Sequence, residues 1–171
     1  WYNLGNVGGG GTVGGQHYSA IACFQKSLEI DPKYALAWYN LGNVGGGGTV
    51  GGQHYSAIAC FQKSLKIDPK NAMAWNSLGY VGGGTVGGQH YSAIACFQKS
   101  LEIDPKHALA WNSSGHVGGG TVGGQHYSAI ACFQKSLEID PKYALAWYNL
   151  GNVGGGGTVG GQHYSAIACF Q

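Results

Sequence analysis

Arginine is absent from this chain, methionine occurs once, and proline only four times. Charged residues supply 9% of the sequence, against about 25% in an ordinary soluble domain. The basic side consists of lysines alone, for a net charge of +2. Nucleic-acid binders cluster Lys and Arg and rely on bidentate guanidinium groups, so this balance speaks against a nucleic-acid partner. No apolar run is long enough for a transmembrane helix, and a membrane partner is not expected. No basic-then-apolar leader is visible in a chain that starts at Trp1. Low charge also leaves little repulsion against self-association.

Two things are abundant, glycine and repetition. Glycine accounts for 33 of 171 residues. The block Gln-His-Tyr-Ser-Ala-Ile-Ala-Cys-Phe-Gln-Lys-Ser-Leu begins at Gln16, Gln53, Gln89 and Gln125 and restarts at Gln162. Trp1, Trp38, Trp75, Trp111 and Trp147 keep the same beat, with steps of 37, 37, 36 and 36 residues. A fixed period of this size indicates stacked repeats, each burying its apolar face against its neighbours. The chain reads as one array over residues 1–171, with units at 1–37, 38–74, 75–110, 111–146 and a partial 147–171. Residues 1–25 are identical to 147–171, as in a window of a longer array.

Within one unit, Asp31-Pro32 can cap and start a helix, since proline is tolerated in the first turn. Ala35, Leu36, Ala37, Trp38 and Leu41 follow with helical spacing. The glycines from Gly42 onward are expected to stop that helix and form a flexible loop containing Thr49 and Val50. A second helix is expected from about His54 to Ile67, with Ala57, Ile58, Cys60, Phe61, Leu65 and Ile67 on its apolar face. Trp38, Leu41, Ala57 and Phe61 are expected to share one core layer.

These residues resemble the tetratricopeptide repeat, whose Trp-x2-Leu-Gly, Ala-x3-Phe and Pro signature stands here as Trp1, Leu4, Gly5, Ala20, Phe24 and Pro32. It recurs as Trp38, Leu41, Gly42, Ala57, Phe61 and Pro69. The resemblance implies an all-α, right-handed superhelical solenoid of helix-turn-helix units, and no β-strand is expected. Three departures stand out. Gly8 and Gly45 replace a large residue of the first helix, Ser27, Ser64, Ser100 and Ser136 replace a small one of the second, and the connector is lengthened by two or three residues. Repeat four also carries Ser114 in place of the signature leucine.

Candidate chemistry is thin. Gly9-Gly10-Gly11-Thr12-Val13-Gly14 formally satisfies G-x-G-x-x-G, but a helix and not a strand precedes it. Gly15-Gln16 stands where a phosphate loop would carry Lys-Ser/Thr. No cofactor is expected. Cys23, Cys60, Cys96, Cys132 and Cys169 lack zinc spacing and, one per unit, are too far apart for disulfides, so buried free thiols are expected. His17, His54, His90, His126 and His163 have only Gln and Tyr as repeated companions, which makes no metal site. A nucleophile–base pairing of His17 with Ser19 has no orienting acid. No enzyme is expected.

The family resemblance implies that the first helices line a concave groove for partner peptides. Its candidate residues are Tyr2, Asn3 and Asn6, Tyr39, Asn40 and Asn43, and Tyr148, Asn149 and Asn152, with Asn76, Ser77, Tyr80, Asn112, Ser113 and His116 at matching positions. All are expected to be exposed, and the asparagines resemble a ladder that grips a peptide backbone. The glycine connectors suggest a second surface, an assembly strip of Gly9, Gly10, Thr12, Val13, Gly46, Gly47, Thr49 and Val50 without bulky side chains. Near-uniform units favour a structural, self-associating filament as the function, with a peptide-binding scaffold as the alternative. A filament would suit the cell exterior, a scaffold the cytoplasm. A glycan partner has only the triplet Asn112-Ser113-Ser114 behind it.

Overall fold

A computed structural model describes residues 1–6 and 9–169. The expectation for Gly8 lies outside the described residues. Each unit is a helix, a β-hairpin and a second helix. Repeat two shows the plan, with α3 (Ala35–Gly45), β3 (Gly47–Val50), β4 (Gln53–Ser56) and α4 (Ala57–Ile67). It is preceded by α1 (Tyr2–Asn6), β1 (Gly10–Val13), β2 (Gln16–Ser19) and α2 (Ala20–Ile30). Repeat three comprises α5 (Ala72–Tyr80), β5 (Gly83–Val86), β6 (Gln89–Ser92) and α6 (Ala93–Ile103). Repeat four comprises α7 (Ala108–His116), β7 (Gly119–Val122), β8 (Gln125–Ser128) and α8 (Ala129–Ile139). Repeat five holds α9 (Ala144–Gly154), β9 (Gly156–Val159), β10 (Gln162–Ser165) and α10 (Ala166–Cys169).

The hairpins correct the expectation of a strand-free, flexible connector. In repeat two Gly47, Gly48, Thr49 and Val50 pair antiparallel with Ser56, Tyr55, His54 and Gln53. Gly51 and Gly52 form the two-residue turn with φ of 57° and 82°. Two consecutive positive φ values match the twist of the flanking strands, and glycine reaches them without steric cost. At Gly47, φ is 121°, and an added Cβ would run into the Tyr55 carbonyl oxygen of the partner strand. Glycine there is a condition of pairing.

Helix boundaries shift accordingly. The first helix does not stop at Gly42. It continues to Gly45, and Gly46 caps it in the left-handed conformation with its N–H on the Leu41 carbonyl. Gly42 is buried because the Phe61 ring lies where its Cβ would be, which explains the Leu-Gly pair. Repeats three and four, with one glycine fewer, end the first helix two residues earlier and keep the same hairpin register. The second helix starts at Ala57, not His54; Ser56 is its N-cap, accepting from Ala59 N–H at 3.2 Å. Asp31-Pro32 starts no helix. Asp31 ends α2, and its carboxylate accepts from Lys33 N–H at 2.9 Å in a short turn.

The core lies between units. Phe24 and Leu28 of α2 pack with Trp38 and Leu41 of α3 and Cys60 of α4, whereas Phe61 and Leu65 belong to the next cluster with Trp75 and Leu78. The expected single layer of Trp38, Leu41, Ala57 and Phe61 is therefore divided between two clusters. Ile58 and Ile67, expected on the apolar face, are exposed. Trp38, Trp75, Trp111 and Trp147 are each fastened twice. The Trp38 indole donates to the Pro32 carbonyl at 2.9 Å, and the ring meets the Tyr55 ring edge-on.

Candidate functional site

Successive first helices touch one another, as α5 does α7 and α7 does α9. That row is the inner side of the curve. Two cavities of about 520 and 690 Å3 open on it. Leu109 and Leu145 line both, and so does Tyr80, so the two form one continuous groove from Gly42 to Asn149. Phe61, Phe97, Val81 and Val117 add to an apolar wall.

The asparagines expected to project from this face are largely used within the stack. Asn40 is half-buried and donates to the Tyr2 hydroxyl at 3.1 Å, with Asn6 Oδ1 at 3.5 Å. Asn149 donates to Asn112 Oδ1 at 2.9 Å. Asn76, Asn112 and Ser113, expected to be exposed, are buried, because the following first helix covers them. The amides of Asn40, Asn112 and Asn149 tie repeat to repeat. Asn76 Oδ1 is buried with no hydrogen-bond partner, and repeat four offers the short Ser113 where repeats two and five offer Asn40 and Asn149. Tyr2 and Tyr39 are half-buried against Phe24 and Phe61. Asn3, Asn6, Asn43, Asn152, Tyr80, His116 and Tyr148 remain exposed. Among the groove residues that the sequence did not single out are Leu109 and Leu145. They share helical spacing with core positions, and only the stacking shows that they face the groove.

On the hairpins, the strip divides by burial. Gly47 and Val50 are buried, Val50 against the Trp38 cluster, and Gly10 is half-buried, so these do not present a surface. Gly9, Thr12, Val13, Gly46 and Thr49 are exposed. Thr49 lies directly opposite His54, and both point outward. The outer face therefore carries a Thr–His pair in every unit, not bare glycine. The triplet asparagine Asn112 is buried, which withdraws its side chain from a glycan.

All five cysteines are buried free thiols. Burial pushes Cys60, Cys96 and Cys132 up to about 11, so they stay protonated and poorly nucleophilic. Among the described residues no three His, Cys, Asp or Glu side chains converge on a metal-sized space. Nor is any helix among them long and apolar enough to cross a membrane. In the turn between repeats three and four, the His107 ring lies 2.9 Å from Ser100 Oγ, whose single proton goes to the Ala72 carbonyl at 2.8 Å. His107 Nδ1 must therefore carry the proton and donate. Burial lowers the His107 pKa, opposed more weakly by Asp104.

Helix pairs stacked through a shared core define a helical-repeat solenoid. The profile described as TPR repeat matches residues 14–44 and 123–153, and that described as Tetratricopeptide repeat matches 51–71 and 87–107. Together these stretches span more than half of the chain, and it belongs to the tetratricopeptide repeat family. Among solved structures, that of MamA matches with a TM-score of 0.52 and 21% identity, covering 78% of this chain and 74% of MamA. That likeness shows the fold. No curated protein matches the chain. Repeats of this family build scaffolds for protein–protein interaction.

Proposed function

We propose that the array is a non-enzymatic scaffold whose inner groove holds a segment of a partner protein by apolar side chains. The observation that carries this reading is the continuous groove sharing Tyr80, Leu109 and Leu145 across repeats two to five. Leu109 and Leu145 are 44% and 49% exposed, and such aligned, uncovered apolar groups mark interaction sites. The polar contribution is reduced, because Asn40, Asn112 and Asn149 are engaged between repeats and Asn43 is left to face the groove. Recognition accordingly rests on anchors from the partner, aliphatic or aromatic, at helical or extended spacing.

Panning a peptide library against the intact array tests this. The reading expects ligands with two or more apolar anchors, lost on the double substitution Leu109→Lys and Leu145→Lys with helix content unchanged. Binding indifferent to that substitution would remove the groove from the function.

A second reading, a self-assembling filament, is favoured by the near identity of the units. Equivalent interfaces generate open helical assemblies when the rotation does not close. Electron microscopy of concentrated protein separates the two: fibres support the filament, discrete particles the scaffold alone.

A further inference from the structure

The second and third hairpins leave a cleft between them, floored by the second helix of repeat two. In repeat two this cleft has a volume of about 320 Å3 and shares no residue with the inner groove. Gln53, His54 and Tyr55 form one wall, Gln62, Lys63 and Lys66 the floor, and Thr85 of the next hairpin the opposite wall.

Repeat two differs from its neighbours at one position here. Elsewhere the floor carries a lysine followed three residues later by a glutamate, and they pair: Lys26–Glu29 at 2.7 Å, Lys99–Glu102 at 2.9 Å and Lys135–Glu138 at 2.8 Å. In repeat two the second residue is Lys66. Lys63 thus loses its acid and lies over the Trp38 and Tyr55 rings, 5.8 and 5.5 Å from their centroids. From Pro32 to Leu101 the chain holds Lys33, Lys63, Lys66, Lys70 and Lys99 but a single acid, Asp68. Two ammonium groups one helical turn apart repel, and the neighbouring rings hold one of them in place.

We propose that the cleft between the second and third hairpins binds a phosphate-type oxyanion. Lys63 and Lys66 supply the two positive charges that match a dianion, and charge-assisted hydrogen bonds from ammonium groups are the strong ones. The His54 imidazole and the Thr85 hydroxyl add donors from the two walls. Gln53 Oε1 is engaged by the Tyr55 hydroxyl at 2.9 Å, so the donor half of that amide is what the cleft can use. The volume suits a phosphoryl group with its nearest atoms, and not a folded domain. The same chemistry is offered by free phosphate and by a phosphorylated side chain of a bound protein.

The test is a titration of the whole chain at low ionic strength, followed by the histidine ring signals. Inorganic phosphate is one probe and a phosphoserine peptide the other. His17, His90 and His126 belong to the repeats whose lysines are paired and serve as internal controls. The site is expected to shift His54 alone, saturably, with at least tenfold weaker binding in Lys66→Glu. That variant restores the helix sequence of repeats one, three and four, so it folds as they do. A peptide binding at least tenfold tighter than phosphate assigns the site to a phosphorylated partner, and equal affinities assign it to the free ion. Equal shifts at His17, His54, His90 and His126, no saturable shift at His54, or unchanged binding in Lys66→Glu would overturn the proposal.

Discussion

The Trp38 and Tyr55 rings meet edge to face, with centroids 4.8 Å apart and planes at 70°. The contact joins the first helix of a unit to the returning strand of its own hairpin. It recurs in all five units, from Trp1–Tyr18 to Trp147–Tyr164. Aromatic pairs of this kind contribute about 0.5–1.5 kcal/mol beyond area burial. Tyr55→Ala should therefore lower unfolding stability by about 2 kcal/mol, adding the lost half-buried area. Tyr55→Phe keeps the ring and loses only an exposed hydrogen bond to Gln53, so urea unfolding should find it near wild type.

The hairpin makes opposite demands of two glycines. Gly47→Ala places a Cβ against the Tyr55 carbonyl at a φ of 121° and should destabilise by about 1–3 kcal/mol. At Gly51 nothing lies within 4 Å of an added Cβ. Asparagine followed by glycine is a favoured two-residue hairpin turn, so Gly51→Asn should be close to neutral. Equal costs at the two positions, measured by thermal unfolding, would speak for an unstructured connector.

The buried, unpaired Asn76 Oδ1 predicts a stabilising substitution. Ser113→Asn restores the residue that repeats two and five carry at that position, and it can donate to Asn76 as Asn149 does to Asn112. A net gain of about 0.5–1.5 kcal/mol is expected from a hydrogen bond formed there. Thermal unfolding of the single variant checks it, and Asn76→Ala in the same background should remove the gain.

What the sequence revealed and what it hid have separate physical causes. Helical spacing around Trp38, Leu41, Ala57 and Phe61 identified the helix pair, because burial against a neighbour imposes that period. The hairpin was hidden by its composition. Gly47 and Gly48 have no β-propensity, and their strand role follows from contacts with Tyr55 and Leu41 that no local pattern displays. The signal present was Gly51-Gly52 between Thr-Val and Gln-His, a two-residue turn with flanking alternation. The asparagine positions were correct as a row along the first helices. Asn3, Asn6, Asn43 and Asn152 are exposed as expected, whereas stacking turns Asn76 and Asn112 into the interface between repeats.

His107 makes stability depend on pH in a stated direction. Its folded pKa lies below the ordinary value of about 6.5, so the unfolded chain takes up the proton first. The contribution of this residue is complete above that value and is lost as pH falls from there through the folded pKa. His107→Tyr, the residue of repeats two and five at this position, should flatten the profile over that window. Unfolding midpoints measured between pH 7.5 and 5 supply the check.

The hairpin between the paired helices is the feature on which both the stack and its outer clefts depend. Hydrogen–deuterium exchange of the folded chain, read on peptides covering residues 47–56, 83–92 and 119–128, tests it most directly. Paired strands predict that amides in these peptides exchange at least tenfold more slowly than in the unfolded chain, with the turn glycines fastest. Exchange throughout these peptides at the unfolded rate, while the flanking helices stay protected, would contradict the account.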